Sequence, residues 1–176
     1  MTLTRRDLLL AAGGALLAVN LPSLASGQPP MLIEMRGTAR GERVWFDPFG
    51  FAVQPGTPLK FINRDLGNAH TVTAYHPELF ERVRRIPRLA EPFNSGYLLP
   101  DDSFELTLTV PGVYDFYCIP HEHAGMAGRI VVGTPDDKGW DATGMEAGGV
   151  PAQVEAALPS VAAILAATAL RAPELE

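Results

Sequence analysis

Cysteine is nearly absent: one thiol, Cys118, stands in 176 residues, so no intramolecular disulfide can form. Positive charge is also short. Lys and Arg number 14 against 20 Asp and Glu, a net charge of −6, and this argues against a general nucleic-acid binder because nothing offsets phosphate repulsion. Long uninterrupted helical patterns are scarce, because 17 Gly and 16 Pro punctuate the chain with turns. No internal repeat is visible. What remains is ordinary globular composition, 47% apolar and 19% charged, in a chain long enough for one domain with a real core.

The N-terminus has the pattern of an export signal rather than of a fold. Thr4-Arg5-Arg6-Asp7-Leu8-Leu9-Leu10 precedes an Ala/Gly/Leu-rich run to Val19, and Ser23-Leu24-Ala25 offers small residues for cleavage near Ala25 or Gly27. The adjacent arginines resemble the twin-arginine type, which implies a leader over residues 1–26, export by that route and a periplasmic mature protein. The apolar run is short for a membrane span, and none is expected in the mature form. A lone thiol in an oxidising compartment is a liability unless something occupies it. A metal would occupy it; a buried, inert cysteine is the alternative.

From Met31 to Val132 the pattern is strand-like. Phe51-Ala52-Val53, a Gln54-Pro55-Gly56 turn and Leu59-Lys60-Phe61-Ile62-Asn63 follow one another. Phe104 to Val110 alternates apolar and polar residues as a half-buried strand does, and Pro111-Gly112 turns it into Val113–Cys118. A last strand, Gly128 to Val132, closes the set. Strands at this spacing suggest an all-β sandwich, and a Greek-key arrangement of it would supply loops from separate strands at one end. Pro77 to Val83 fits a short helical insertion, ending in Arg82, Arg84, Arg85 and Arg88, which read as a solvated loop face, with a docking patch for an acidic partner as the other reading. Thr134 to Gly149 is Gly- and Asp-rich and reads as a linker. Pro151 to Arg171 has helical period, broken at Pro159, and is expected to pack on the sandwich as a C-terminal extension. The resulting division is 31–133 for the sandwich and 134–176 for linker and extension.

The stretch Tyr117 to Gly128, YCIPHEHAGMAG, gathers the sole cysteine, two of the four histidines and a methionine. Cys118, His121 and Met126 follow C-x2-H-x4-M in a loop tethered by strands at both ends. A thiolate, an imidazole and a thioether together suit copper. A second imidazole is available in His70, which opens another strand after Gly67-Asn68-Ala69.

Val113 to His121, with Gly125 to Val132, resembles the type 1 copper loop of the cupredoxins, in their plastocyanin and pseudoazurin branch. Phe51 to Asp65 and Asn68 to Val72 are similar to the segments that lead to that family's first histidine. The resemblance covers roughly residues 31 to 133. It implies one mononuclear copper with His70, Cys118 and His121 as equatorial ligands and Met126 as the weak axial ligand. It favours His121 over His123, which lies at C-x4-H in the same loop. Glu122 and His123 depart from the simple pattern, so the segment reads H-E-H. His76, before Pro77, reads as a surface histidine.

The function implied is single-electron carriage between redox partners, a cytochrome or an oxidase or reductase, by a monomer rather than an enzyme. The rival is an exported copper-binding or delivery protein with a modified site and no shuttle role, suggested by the extra His76, Glu122 and His123.

Overall fold

The computed structural model describes residues 29–142 and 148–173. The export leader expected over 1–26 lies outside the described residues. Two sheets face each other. The first has the order β2-β1-β4-β6, from Val44–Asp47, Met31–Gly37, Pro58–Asn63 and Ser103–Thr107. The second has the order β5-β7-β8-β3-β9, from Thr73–Ala74, Gly112–Tyr117, Ala127–Val132, Gly50–Val53 and Ala169–Leu170. Both are mixed: β1 runs parallel to β4 and β3 parallel to β8, the other pairs being antiparallel. This is the expected β-sandwich.

Period-two alternation builds the core. Ile33 and Met35 of β1 and Leu59 and Phe61 of β4 point inward, while Leu32 and Arg36 are exposed. Phe116 of β7 meets Phe46 and Phe61 of the opposite sheet edge-on, with ring centroids 4.7 Å and 5.5 Å apart. Such contacts add to area burial by about 0.5–1.5 kcal/mol each. Opposite Phe116 in register stands Gly128. A Cβ there would run into the Phe116 ring and lie 2.9 Å from the Phe49 carbonyl, so only glycine lets the ring cross.

The same alternation sorts the β7–β8 hairpin. Tyr114, Phe116 and Cys118 join the inner core with Met126, Ile130 and Val132. Tyr117 and Ala127 face outward and form a second cluster with Tyr75 and Val154. Both sulfur residues therefore lie at one end of the inner core. Every residue of β7 and β8 is buried, because the C-terminal extension covers the outer face. Helices α1, Ala152–Ala157, and α2, Val161–Ala167, bury Val154 and Ile164 there, and Pro159 separates them as expected. Helical period does not continue to Arg171. Thr168 turns into the left-handed half of the map (φ 65°), and Ala169–Leu170 pairs with β3 as an extra strand.

Three local expectations are overturned. The short helical insertion at 77–83 is absent: the segment forms turns, with Phe80 (φ 56°) and Glu81 (φ 55°) both left-handed, and a right-handed helix cannot pass through two such residues. The arginine cluster is not simply a solvated face. Arg85 is 2% exposed, and with Arg129 it donates to the buried Asp115, at 2.8 Å from Arg85 Nε and 2.7 Å from Arg129 Nε. Arg129 also donates to the Pro159 carbonyl at 2.7 Å and Arg85 to that of Gly148 at 3.3 Å, so this buried charge group ties the extension to the sheet. His76 is not on the surface either. It is 2% exposed, and its Nδ1 accepts the Glu78 N–H at 3.2 Å.

Candidate metal centre

His70 is delivered by a loop that Asn63 organises. The buried Asn63 amide donates to the carbonyls of Asn68 (2.8 Å) and Leu98 (2.9 Å), and its oxygen accepts the Asp65 N–H at 2.9 Å. His70 then pairs through its backbone with Leu98 in both directions, at 3.1 Å and 2.8 Å. Asp65, also buried, accepts the Gly67 N–H on Oδ1 and the Asn68 amide on Oδ2. The same Oδ2 lies 3.0 Å from His70 Nε2. An ionised carboxylate only accepts, so the Nε2 proton points at Asp65 and the Nδ1 lone pair is left facing the other way.

Cys118, His121 and Met126 come from the loop that closes the β7–β8 hairpin. The last register pair is Tyr117–Ala127. Beyond it the Cys118 N–H donates to the Met126 carbonyl (2.9 Å), and the Met126 N–H to that of His121 (3.2 Å). Between them Ile119–Ala124 winds as a 3₁₀ turn, started by Pro120 and ended by Gly125 at φ 80°. A side chain at Gly125 would be strained by that left-handed φ, and its Cβ would press on the Gln153 carbonyl of α1 at 3.2 Å. The loop is fastened to the His70 segment by the Ile119 N–H, which donates to Thr71 Oγ1 at 2.8 Å.

Three donor atoms converge. His70 Nδ1 is 3.1 Å from His121 Nδ1; Cys118 Sγ is 3.4 Å from His121 Nδ1 and 3.6 Å from His70 Nδ1. A point equidistant from all three is about 2 Å from each, the length of a transition-metal bond to imidazole and slightly short for thiolate. Among the described residues this is the group of His, Cys, Asp and Glu side chains able to hold a metal ion. Two imidazoles and one thiolate in a triangle are the donor set of copper. The residues fit the metal.

The electrostatics agree. Burial lowers the His70 pKa below its ordinary 6.5, and Asp65 only partly restores it. Burial and then the neighbouring His70 lower that of His121. Both rings are thus neutral at neutral pH, with lone pairs available. Burial pushes the Cys118 thiol up to about 11, against the opposing pull of the Thr71 and His121 N–H groups. Without metal the thiol keeps its proton; a cation must displace it. The Thr71 N–H lies 3.3 Å from the sulfur, a donor supplied by the His70 segment that leads into β5, the neighbour of β7 in the same sheet. Asp65 stays below the ordinary carboxylate range: burial pushes it up, but hydrogen bonds from Asn68, Gly67 and His70 outweigh that.

Met126 is fully buried in the cluster that holds Cys118, and its backbone is bonded to both Cys118 and His121. His123 is exposed and outside the triangle. Glu122 is buried and engaged by Tyr75 and Arg82. Asp65, Thr71 and Asn63 are contributors that composition and spacing did not mark. The one available signal was an acid five residues before His70, in a segment already compared with the family.

The family model of copper-binding proteins of the plastocyanin/azurin family matches residues 33–133. The chain belongs to this family. It is a cupredoxin of the plastocyanin and pseudoazurin branch, and copper is its metal. Chloroplast plastocyanin from Oryza sativa subsp. indica is 34% identical over 129 residues, 73% of this chain and 80% of the relative. Pseudoazurin from Paracoccus pantotrophus is 32% identical over 125 residues, 71% of this chain and 76% of the relative. The solved pseudoazurin from Sinorhizobium meliltoi superposes with a TM-score of 0.52 at 24% identity, covering 78% of this cupredoxin and 95% of that chain, which speaks for the fold.

Proposed function

We propose that this cupredoxin is an exported, periplasmic carrier of single electrons, with one copper held by His70, Cys118 and His121 and weakly by Met126. The observation that carries the reading is the triangle of two Nδ1 atoms and one Sγ, closed to 3.1–3.6 Å on each side. A bound copper supplies one-electron chemistry, between Cu(I) and Cu(II). The protein's part is to present these donors with little rearrangement. Asp65 fixes the His70 tautomer, Thr71 donates to the sulfur, and the 3₁₀ turn holds His121 against both. The core behind Cys118 and Met126 excludes water. His121 is the half-buried member of the triangle, and an electron would pass through its solvent-facing edge to a transient protein partner such as a cytochrome, an oxidase or a reductase. The domain doing this is 31–133, with 134–176 as extension. Export by the twin-arginine route rests on Arg5-Arg6 and the apolar run after them. Among the described residues no helix is long and apolar enough to cross a membrane.

The delivery reading leaned on extra donors. Glu122 and His76 are engaged elsewhere, which leaves His123. The test is the visible absorption of the mature protein with one equivalent of Cu(II), oxidised, reduced and reoxidised. An intense thiolate-to-copper band that bleaches and returns is expected. Copper bound with only a weak ligand-field band would remove Cys118 ligation and leave storage or delivery.

A further inference from the structure

Glu122 sits between His121 and His123, yet its carboxylate is not among the converging donors. It is 1% exposed. A buried carboxylate persists only when hydrogen-bonded and paired. Here Oε1 accepts the Tyr75 hydroxyl at 3.0 Å, and Oε2 accepts Arg82 Nη2 in an ion pair. The two partners also meet at Tyr117. The Tyr75 ring stacks on it, with centroids 4.3 Å apart and planes 25° apart, and the Arg82 guanidinium lies 5.6 Å from its centroid. Tyr117 immediately precedes Cys118, and Glu122 immediately follows His121. One group of side chains therefore grips the arc from Cys118 to His121 at both its ends. Glu122 also accepts the Gly125 N–H through its carbonyl at 2.9 Å, so its placement carries into the turn that leads to Met126.

We propose that Glu122 is a positioning residue: clamped by Tyr75 and Arg82, it holds the Cys118–His121 arc in its metal-binding shape before any metal arrives. The proposal rests on the reading of Cys118 and His121 as copper ligands. It also explains why the turns at 77–83 replace a helix, since the left-handed Phe80 and Glu81 bring Arg82 back to the loop.

The test compares the full chain with E122A, E122Q and Y75F, first metal-free and then with Cu(II). In metal-free E122A, amide exchange at His121, Gly125 and Met126 should speed by about tenfold or more, while the β4 amides keep wild-type protection. Copper affinity should fall about tenfold, with a shifted thiolate band and reduction potential. Y75F should move the same readouts less. E122Q still offers an oxygen to the Tyr75 hydroxyl and should recover most of the band and affinity. Wild-type loop exchange, band and potential in E122A and Y75F, with only a lower Tm, would overturn the proposal. Should E122A not fold, Y75F decides alone: unchanged loop exchange and band sink the idea. A wild-type protein lacking the thiolate band would refute the copper reading, while the metal-free exchange data would still judge the hold of Glu122.

Discussion

Two buried carboxylates flank the donor triangle, and they act differently. Asp65 touches a donor ring directly, 3.0 Å from His70 Nε2. Its negative charge acts on the imidazole: it sets the tautomer, raises ring basicity against the effect of burial, and strengthens the lone pair aimed inward. Glu122 touches no donor side chain. Its charge is spent on Tyr75 and Arg82, and its influence reaches the site through the backbone of the arc it closes. One acid acts on a donor ring; the other binds side chains that pack beside the donor arc. A buried charge beside a metal site therefore has to be read from its partners, because burial and proximity are common to both.

The largest perturbation removes what both flanks support. Cys118→Ser should abolish the thiolate-to-copper band altogether, and absorption spectroscopy of the loaded protein checks it. Asp65→Asn comes next. It should weaken copper by about 10–100-fold in competition titrations, because the acceptor that orients the ring loses its charge. In the metal-free protein the same change should lower the His70 pKa further, since burial then acts without the opposing carboxylate. Proton NMR titration of the ring resolves it, and the comparison sharpens if E122Q leaves that titration alone.

Metal-free stability against pH gives a smaller effect with a definite sign. His70 and His121 have folded pKa values below the ordinary 6.5, so the unfolded chain takes up protons first. Their contribution is intact above about pH 6.5 and is lost as pH falls below it. Cys118 is shifted the other way, to about 11 from 9.0. Its contribution holds below pH 9 and is lost as pH rises through 11. Urea unfolding at pH 5.5, 7.5 and 10.5 should show maximal stability in the middle, and Cys118→Ser should flatten the alkaline side. The smallest effect belongs to His123→Ala. An exposed ring outside the triangle should leave band, affinity and potential within error of wild type. A lost band there would break the assignment to His121.

Much of the fold was legible because it is local. Alternation in β1 and β4 and turns at Pro55-Gly56 and Pro111-Gly112 mark strands without any knowledge of what they face. The break at Pro159 is legible for the same reason. Pro77 to Val83 was misleading, since its residues suit a helix. Two buried acids outweigh that preference, Glu122 calling for Arg82 and Asp115 for Arg85. His76 followed the same segment inward. The strand at Ala169–Leu170 was hidden within a helical period because its partner, β3, lies more than a hundred residues away.

By itself the sequence determined which donors exist and roughly where they lie: one thiol, an imidazole three residues on, a thioether five further, and His70 opening a separate strand. Composition and spacing are properties of the chain, so they survive without coordinates. Only the tertiary structure decided which atoms meet. It brought His70 Nδ1 to Cys118 and His121 across 48 and 51 residues, gave Asp65 to one ring, and turned Glu122 to Tyr75 and Arg82. Those choices depend on which groups are dehydrated together, and a buried charge takes whichever partner the packed sheets leave within reach.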